Sequence, residues 1–101
     1  MTDMEMLELA AKAAGYEVRS DGEGGLTIPT RRGASREWNP LTDDGDALRL
    51  AVRLHMQVSI TTESCRAETL PALGVRVNDN DEMAATRRAI VRAAAQIGAQ
   101  M

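Results

Sequence analysis

The chain has 101 residues, of which 44% are hydrophobic and 27% are charged, a length and composition typical of one folded domain spanning 1–101. Fifteen acidic residues against twelve basic ones give a net charge of −3, which argues against a nucleic-acid-binding protein that relies on a broad basic surface. Because there is no Phe, one Tyr and one Trp, the core must be built mainly from Ala, Leu, Val, Ile and Met.

The cysteine content and the first residues indicate a cytoplasmic protein. Cys65 is the only cysteine, so no internal disulfide can form, and nothing places the single histidine, His55, beside it as a catalytic partner. The opening M-T-D-M-E-M-L-E has neither a basic stretch nor an apolar run. We therefore expect no signal peptide and no membrane span.

The first element is a helix from about Asp3 to Ala14. Thr2 and Glu5 form a capping-box pattern, and Gly15 is placed to end the helix. Apolar residues recur at helical spacing at Met6, Leu7, Ala10, Ala13 and Ala14.

A hairpin is predicted to follow this helix. Tyr16 and Val18 alternate with polar residues, and Leu26 and Ile28 resume the alternation up to Pro29. The glycine-rich stretch 21–25 between them is a turn signal. It lacks the Gly-Lys-Ser/Thr ending of a phosphate-binding loop, which argues against that alternative.

The stretch 30–37, T-R-R-G-A-S-R-E, has no apolar periodicity and is predicted to be a surface connection. Its three arginines, Arg31, Arg32 and Arg36, have two interpretations. They are either solvated, or they hold an acidic partner or a phosphate, for which arginine is the usual residue.

The stretch 38–54, W-N-P-L-T-D-D-G-D-A-L-R-L-A-V-R-L, predicts a capped amphipathic helix that begins near Asp43 or Asp44. One stripe at helical spacing is expected to be buried, namely Ala47, Leu50, Ala51 and Leu54. Trp38, directly before the helix, either packs on the core or is exposed for binding.

The acidic residues of this stretch also have two interpretations. Asp43, Asp44 and Asp46 suit a helix N-terminus, where negative charge is favoured. Closely spaced carboxylates suit a hard cation as well, but the ligand register of an EF-hand loop is absent. We therefore predict a cap, no metal site and no cofactor.

Strands and a third helix complete the chain. Met56, Val58 and Ile60 alternate with polar residues, a weak strand is expected between Glu63 and Thr69, and Val75 and Val77 indicate another. Asp79 and Glu82 resemble a capping box for a last helix that extends to about Ile97 or Gly98. Its predicted face is Met83, Thr86, Ile90, Ala93, Ala94 and Ile97.

The order α-β-β-α-β-(β)-β-α predicts an α+β domain built on an antiparallel sheet of three to five short strands. The three helices either crowd one face of the sheet or cover both faces in a three-layer sandwich. An exposed strand edge would be a place to receive a partner.

Three stretches carry a resemblance to a known family: L-E-L-A-A-K-A-A-G-Y at 7–16, W-N-P-L-T-D-D-G-D-A-L-R-L-A-V at 38–52 and A-A-T-R-R-A-I-V-R-A-A-A at 84–95. Together they resemble the phage ABA sandwich family, small proteins of tailed bacteriophages and prophages. The resemblance covers nearly the whole chain, but its motifs are structural. The segment 63–66 departs from it by lacking an aromatic strand residue, which leaves the pairing of that strand open.

The resemblance implies an accessory protein made in an infected or lysogenic bacterium, with no catalytic residue to carry over. We expect a non-enzymatic protein that binds a host or phage protein, as an inhibitor of host defence for example, through Arg31, Arg32, Arg36 and Trp38. The alternative is a small-molecule or nucleotide-binding module in which Trp38 stacks and the arginines hold phosphate. Self-association through Ala-rich helices or strand edges is a further expectation.

Overall fold

A computed structural model describes residues 2–20, 22, 25–29, 33–60, 65–69, 73–77 and 81–101. Its elements in chain order are α1 (Asp3–Ala14), β1 (Arg19–Ser20), β2 (Leu26–Pro29), β3 (Ser35–Trp38), α2 (Asp44–Arg53), β4 (Gln57–Ile60), β5 (Cys65–Thr69), β6 (Leu73–Val77) and α3 (Glu82–Ala99). The α+β class and the three predicted helices are confirmed.

The strands form two antiparallel sheets, with strand orders β1-β2-β3 and β4-β5-β6. In the first sheet Thr27 pairs with Glu37, and in the second Ala67 pairs with both Val58 and Val75. β5 confirms the weak strand expected between Glu63 and Thr69. The expected single sheet is replaced by two, which α2 separates along the chain.

The strand β3 lies where the sequence predicted only a surface connection. Ser35 and Glu37 are exposed, Arg36 is half-buried and Trp38 is buried, so burial alternates along the strand, but the sequence offers only one apolar residue and no apolar alternation to predict it. Pairing with β2 is what fixes it in an extended conformation. β1 likewise begins at Arg19 and not at Tyr16, because the Tyr16 N–H still bonds to the Ala11 carbonyl at the end of α1.

Each helix begins at a residue that can accept hydrogen bonds from free N–H groups. Thr2 accepts from the Glu5 N–H, as predicted, and Gly15 ends α1 with φ of 78°. Asp43 caps α2, also as predicted. The cap of α3 is Asp81, whose carboxylate accepts from the Met83 and Ala84 N–H groups, whereas the predicted capping residue Asp79 lies outside the described residues.

Helix α3 contacts α1, α2 and all three strands of the second sheet. It runs parallel to α1, because Arg88 pairs with Asp3 near one end and Gly98 meets Leu9 farther along. At Gly98 the two backbones are so close that an added Cβ would lie less than 3.0 Å from the Leu9 carbonyl oxygen.

One hydrophobic core joins the three helices and the first sheet. The first sheet contributes Leu26, Ile28 and Trp38, and the predicted α2 stripe contributes Leu50 at 0% exposure. The Trp38 side chain is 1% exposed and meets the Tyr16 ring edge to face, with 5.8 Å between ring centroids. The core-packing interpretation of Trp38 is therefore confirmed.

Candidate functional site

The start of α2 is a polar cluster built around one buried carboxylate. The Asp43 side chain accepts a 2.8 Å hydrogen bond from the Asp46 N–H. Asp46 is 3% exposed and accepts from Arg36 Nη1 and Arg49 Nη2, both at 2.9 Å, and from the Asn39 N–H at 3.0 Å. Asp46 therefore joins α2 to the end of β3.

Two opposing effects set the charge state of Asp46. Burial on its own raises the pKa of the carboxyl, but the hydrogen bonds from Arg49, the Asn39 backbone and Arg36 outweigh it and hold the pKa below its ordinary value. The hydrogen bond between Asp46 and Arg49 in turn raises the pKa of the Arg49 guanidinium. The cluster is therefore an ion-paired link that stays charged at neutral pH.

The three α2 carboxylates do not converge. Asp43 accepts from the Asp46 N–H and shares Arg49 with the Asp46 carboxylate, at 3.8 Å and 2.9 Å, whereas Asp44 contacts Arg87 on α3. Within the described ranges there is no group of three His, Cys, Asp or Glu side chains that could hold a metal ion. The cap interpretation of Asp43 is confirmed, and Asp46 adds a link that the sequence did not reveal.

The residues predicted to contact a partner have different environments in the structure. Arg36 is directed at Asp46, with its side chain still 40% exposed. Trp38 is buried, so its assignment as a partner-binding residue is wrong: the strand pairing of β3 turns its ring into the core. Arg31 and Arg32 lie outside the described residues. Of the three loop arginines, the structure therefore describes only Arg36, which is ion-paired with Asp46.

An apolar groove lies instead between α2 and α3. Arg87 connects the two helices at one end, where Nε donates to the Leu41 carbonyl at 2.8 Å and Nη1 donates to Asp44 Oδ1 at 2.6 Å. Beyond this connection the helices leave a cavity of about 340 Å³. Its described lining residues are Asp44, Ala47, Leu48, Ala51, Val58, Met83, Thr86, Arg87 and Ile90. We call this cavity the α2–α3 groove.

Large apolar side chains are exposed on its walls. Leu48 on α2 is 64% exposed and Met83 on α3 is 56% exposed. Val52, one turn after Leu48, is 65% exposed and lies beside Arg53, which stacks over the Tyr16 ring at 5.2 Å. Leu48 therefore lines both the α2–α3 groove and a neighbouring depression on the outside of α2, whose other lining residues are Tyr16, Arg49, Val52 and Arg53.

The sequence of α2 contains a second apolar pair, outside the predicted buried stripe, that indicates this surface. Leu48 and Val52 are four residues apart, so they share a helix face, but they lie off the predicted buried stripe of α2. Such a pair, on the face of an amphipathic helix that should be polar, indicates that apolar side chains are exposed there. Met83 was predicted on the inward face of α3, yet it lies on the first turn and is exposed.

Comparison with known proteins identifies no relative. No protein-family model, curated protein or solved structure matches the chain. The resemblance to the phage family therefore stays an expectation. Among the helices of the described part of the chain, none combines the length and the apolar character needed to cross a bilayer.

Proposed function

We propose that this chain is a non-enzymatic phage or prophage accessory protein that binds a host or phage protein in the bacterial cytoplasm and inhibits it. The phage context comes from the resemblance of the sequence. The binding role is supported by one observation, the apolar surface at the α2–α3 groove.

Exposed large apolar side chains gather at the α2–α3 groove. Among the described residues, four large hydrophobic side chains are exposed, and three of them, Leu48, Val52 and Met83, lie on or beside the groove. The fourth is Met101, the last residue. Contiguous exposed apolar patches with polar rims mark interaction sites, whereas isolated exposed apolar residues are ordinary. The alternative of a nucleotide-binding module loses its stacking residue, since Trp38 is buried.

Affinity purification from bacterial lysate tests the proposal. The tagged wild-type chain is compared with Leu48→Asp and Met83→Asp, which place a charge on the groove walls. Met101→Asp is the matched control, because it makes the same kind of change at a hydrophobic residue that is 66% exposed and distant in sequence. Circular dichroism confirms that each variant is folded.

The proposal expects a protein retained by the wild type and by Met101→Asp, and lost from both groove variants. It is overturned if the wild type retains no specific protein, or if the groove variants retain it equally well.

A further inference from the structure

We infer that a second cleft, over the seam between α1 and α3, binds a small organic anion through Arg92 and Arg88. The anion is a phosphate or a carboxylate with a short apolar body. This site goes beyond the proposed function, and its described lining shares no residue with that of the α2–α3 groove. Three features support it: a free cation, a second cation in a weak ion pair, and a buried apolar part of the lining.

The cleft has a volume of about 440 Å³, within the range of roughly 300–1,000 Å³ that is usual for small-ligand sites. Arg88, Arg92 and Gln96 are four residues apart on α3, so these three donors follow one helix face for about 12 Å. The described lining residues are Asp3, Met6, Arg88, Arg92, Ala95, Gln96 and Ala99. We call this cavity the α1–α3 cleft.

The three arginines of α3 differ in what they contact. Arg87 is bonded to Asp44 of α2, and Arg88 is paired with Asp3 of α1. Arg92 is exposed and, within the part of the chain that the structure describes, its side chain makes no hydrogen bond or ion pair. A guanidinium is a planar fork of N–H donors that matches a carboxylate or a phosphate. The Arg92 side chain is therefore available to an anion in the cleft.

The ion pair of Arg88 does not prevent it from joining Arg92. Arg88 Nη1 lies 3.3 Å from Asp3 Oδ1, and the Asp3 side chain is 63% exposed. Such a pair contributes little, because water and salt screen it. An anion beside Arg92 can therefore bond to the other donors of Arg88 or draw it away from Asp3. Among the described lining residues there are two cations and one carboxylate, so the net charge favours an anion.

The rest of the lining indicates the size and kind of anion. Met6 and Ala95 are 6% and 3% exposed, so a short aliphatic body can lie against them while its charged group contacts the arginines. No aromatic ring is among the described lining residues, so the cleft offers no stacking platform for a nucleobase. A nucleic acid would also need more free cations than Arg92 alone. A small organic anion fits best.

Nuclear magnetic resonance of the full, nitrogen-labelled chain tests the site through the arginine Nε–H signals. Hexanoate and butyl phosphate are the probes, and pentylammonium, a cation with the same alkyl chain as hexanoate, is the control at equal ionic strength. We expect both anions to shift the Arg88 and Arg92 signals with saturation, at a dissociation constant of roughly 1 mM, and pentylammonium to leave them unchanged. The anion that binds more tightly distinguishes a phosphate ligand from a carboxylate.

Variants separate binding in the cleft from general attraction to arginines. Arg92→Met keeps the apolar stem and is expected to weaken anion binding at least about tenfold. Arg19→Met, at an exposed position of β1, is the matched control and should leave the affinity unchanged. Asp3→Asn releases Arg88 from its carboxylate, so it should strengthen binding by about two- to fivefold. Circular dichroism confirms that each variant is folded.

Three outcomes would overturn the inference: no saturating shift of the Arg92 signal, equal effects of Arg92→Met and Arg19→Met on affinity, or weaker binding by Asp3→Asn. Any of them would mean that Arg92 is only a solvated side chain. The result is independent of the lysate experiment, because Leu48→Asp and Met83→Asp change no described residue of the α1–α3 cleft. Loss of a lysate partner would therefore remove the proposed function and leave the anion site.

Discussion

Helix α3 contacts its two neighbouring helices in opposite ways. Against α1 it packs so closely that Gly98 has no space for a side chain beside the Leu9 carbonyl. Against α2 it leaves the α2–α3 groove, at one end of which Arg87 of α3 contacts Asp44 and the Leu41 carbonyl just before α2. Helix α3 thus meets α1 backbone to backbone, whereas it meets α2 across an open groove with an ion pair at one end.

The difference follows from the side chains at each contact. The separation of two packed helices depends on the residues between them, and Ala10, Ala11 and Gly98 allow a small one. On α2, Ala47 and Ala51 are just as small, but Leu48 and Met83 flank the gap and point outward. Small residues therefore allow close packing between α1 and α3, whereas between α2 and α3 similar small residues line an open groove.

Substitution at Gly98 should have the largest effect. Gly98→Ala places a Cβ against the Leu9 backbone, which cannot rotate away, so we expect a loss of about 2–3 kcal/mol in the free energy of unfolding measured in urea. This loss would occur although Ala is favoured over Gly in a helix by about 1 kcal/mol.

Gly45→Ala in α2 is the matched control. There the added Cβ would lie 3.1 Å from Arg49 Nη2 and 3.2 Å from Asp43 Oδ2, the ends of flexible side chains that need shift by only a few tenths of an ångström while they keep their bonds to Asp46. We expect no change, or a gain of up to about 1 kcal/mol from helix propensity. If both substitutions lowered the free energy of unfolding equally, the close approach of α3 to α1 at Gly98 would not be the cause of the loss.

Removing the charge of Asp46 should cause the second-largest loss in the free energy of unfolding. Asp46→Asn keeps the shape but removes the charge that accepts from Arg36 and Arg49, and we expect a loss of about 2 kcal/mol at pH 7. The more exposed Asp44→Asn should lose less than about 1 kcal/mol. A similar loss at both positions would contradict the role given to burial.

The Asp46 contribution should also depend on pH. Because its folded-state pKa lies below that of the unfolded chain, about 3.9, the stabilisation is fully present above about pH 4. At lower pH the unfolded chain takes up the proton first, so the difference between wild type and Asp46→Asn shrinks as pH falls through the folded-state pKa. Urea unfolding at several pH values measures it; a constant difference down to about pH 2 would contradict this.

Arg87 should have a smaller effect. Arg87→Met removes the hydrogen bond to the Leu41 carbonyl and an ion pair to the exposed Asp44, while it keeps the apolar stem. We expect a loss of about 1 kcal/mol in urea unfolding. Arg92→Met, at an exposed position of the same helix, should change stability by less than about 0.5 kcal/mol. Equal effects would show that Arg87 does not hold α2.

The helices could be predicted because the apolar spacing, the caps and the terminating glycine all lie within the helical segment itself. The stripe through Leu50, the end at Gly15 and the cap at Asp43 each depend on neighbours three to five residues away. β3 could not be predicted in this way, since Ser35 to Glu37 are polar and become a strand only by pairing with β2. The division into two sheets is likewise a property of long-range pairing.

The candidate site was predicted less well, for the same reason. Residue types singled out arginines and Trp38, but a side chain's role depends on what the fold places beside it: Trp38 enters the core, and Arg36 meets a carboxylate ten residues away. The α2–α3 groove joins positions about forty residues apart in sequence. The spacing of Leu48 and Val52 is a sequence signal that could have indicated one wall of it, but the sequence analysis did not use it.

The smallest effect on stability should come from filling the groove. Ala51→Leu adds a side chain that can extend into the open space, so we expect a change within about 1 kcal/mol, whereas Ala10→Leu, in the fully buried part of α1, should lose about 1–3 kcal/mol or more. The same Ala51→Leu change should weaken retention of the lysate partner, because the added side chain fills part of the groove. If Ala51→Leu destabilises as much as Ala10→Leu, the α2–α3 interface is as closed as the other one, and the groove has no room for a partner.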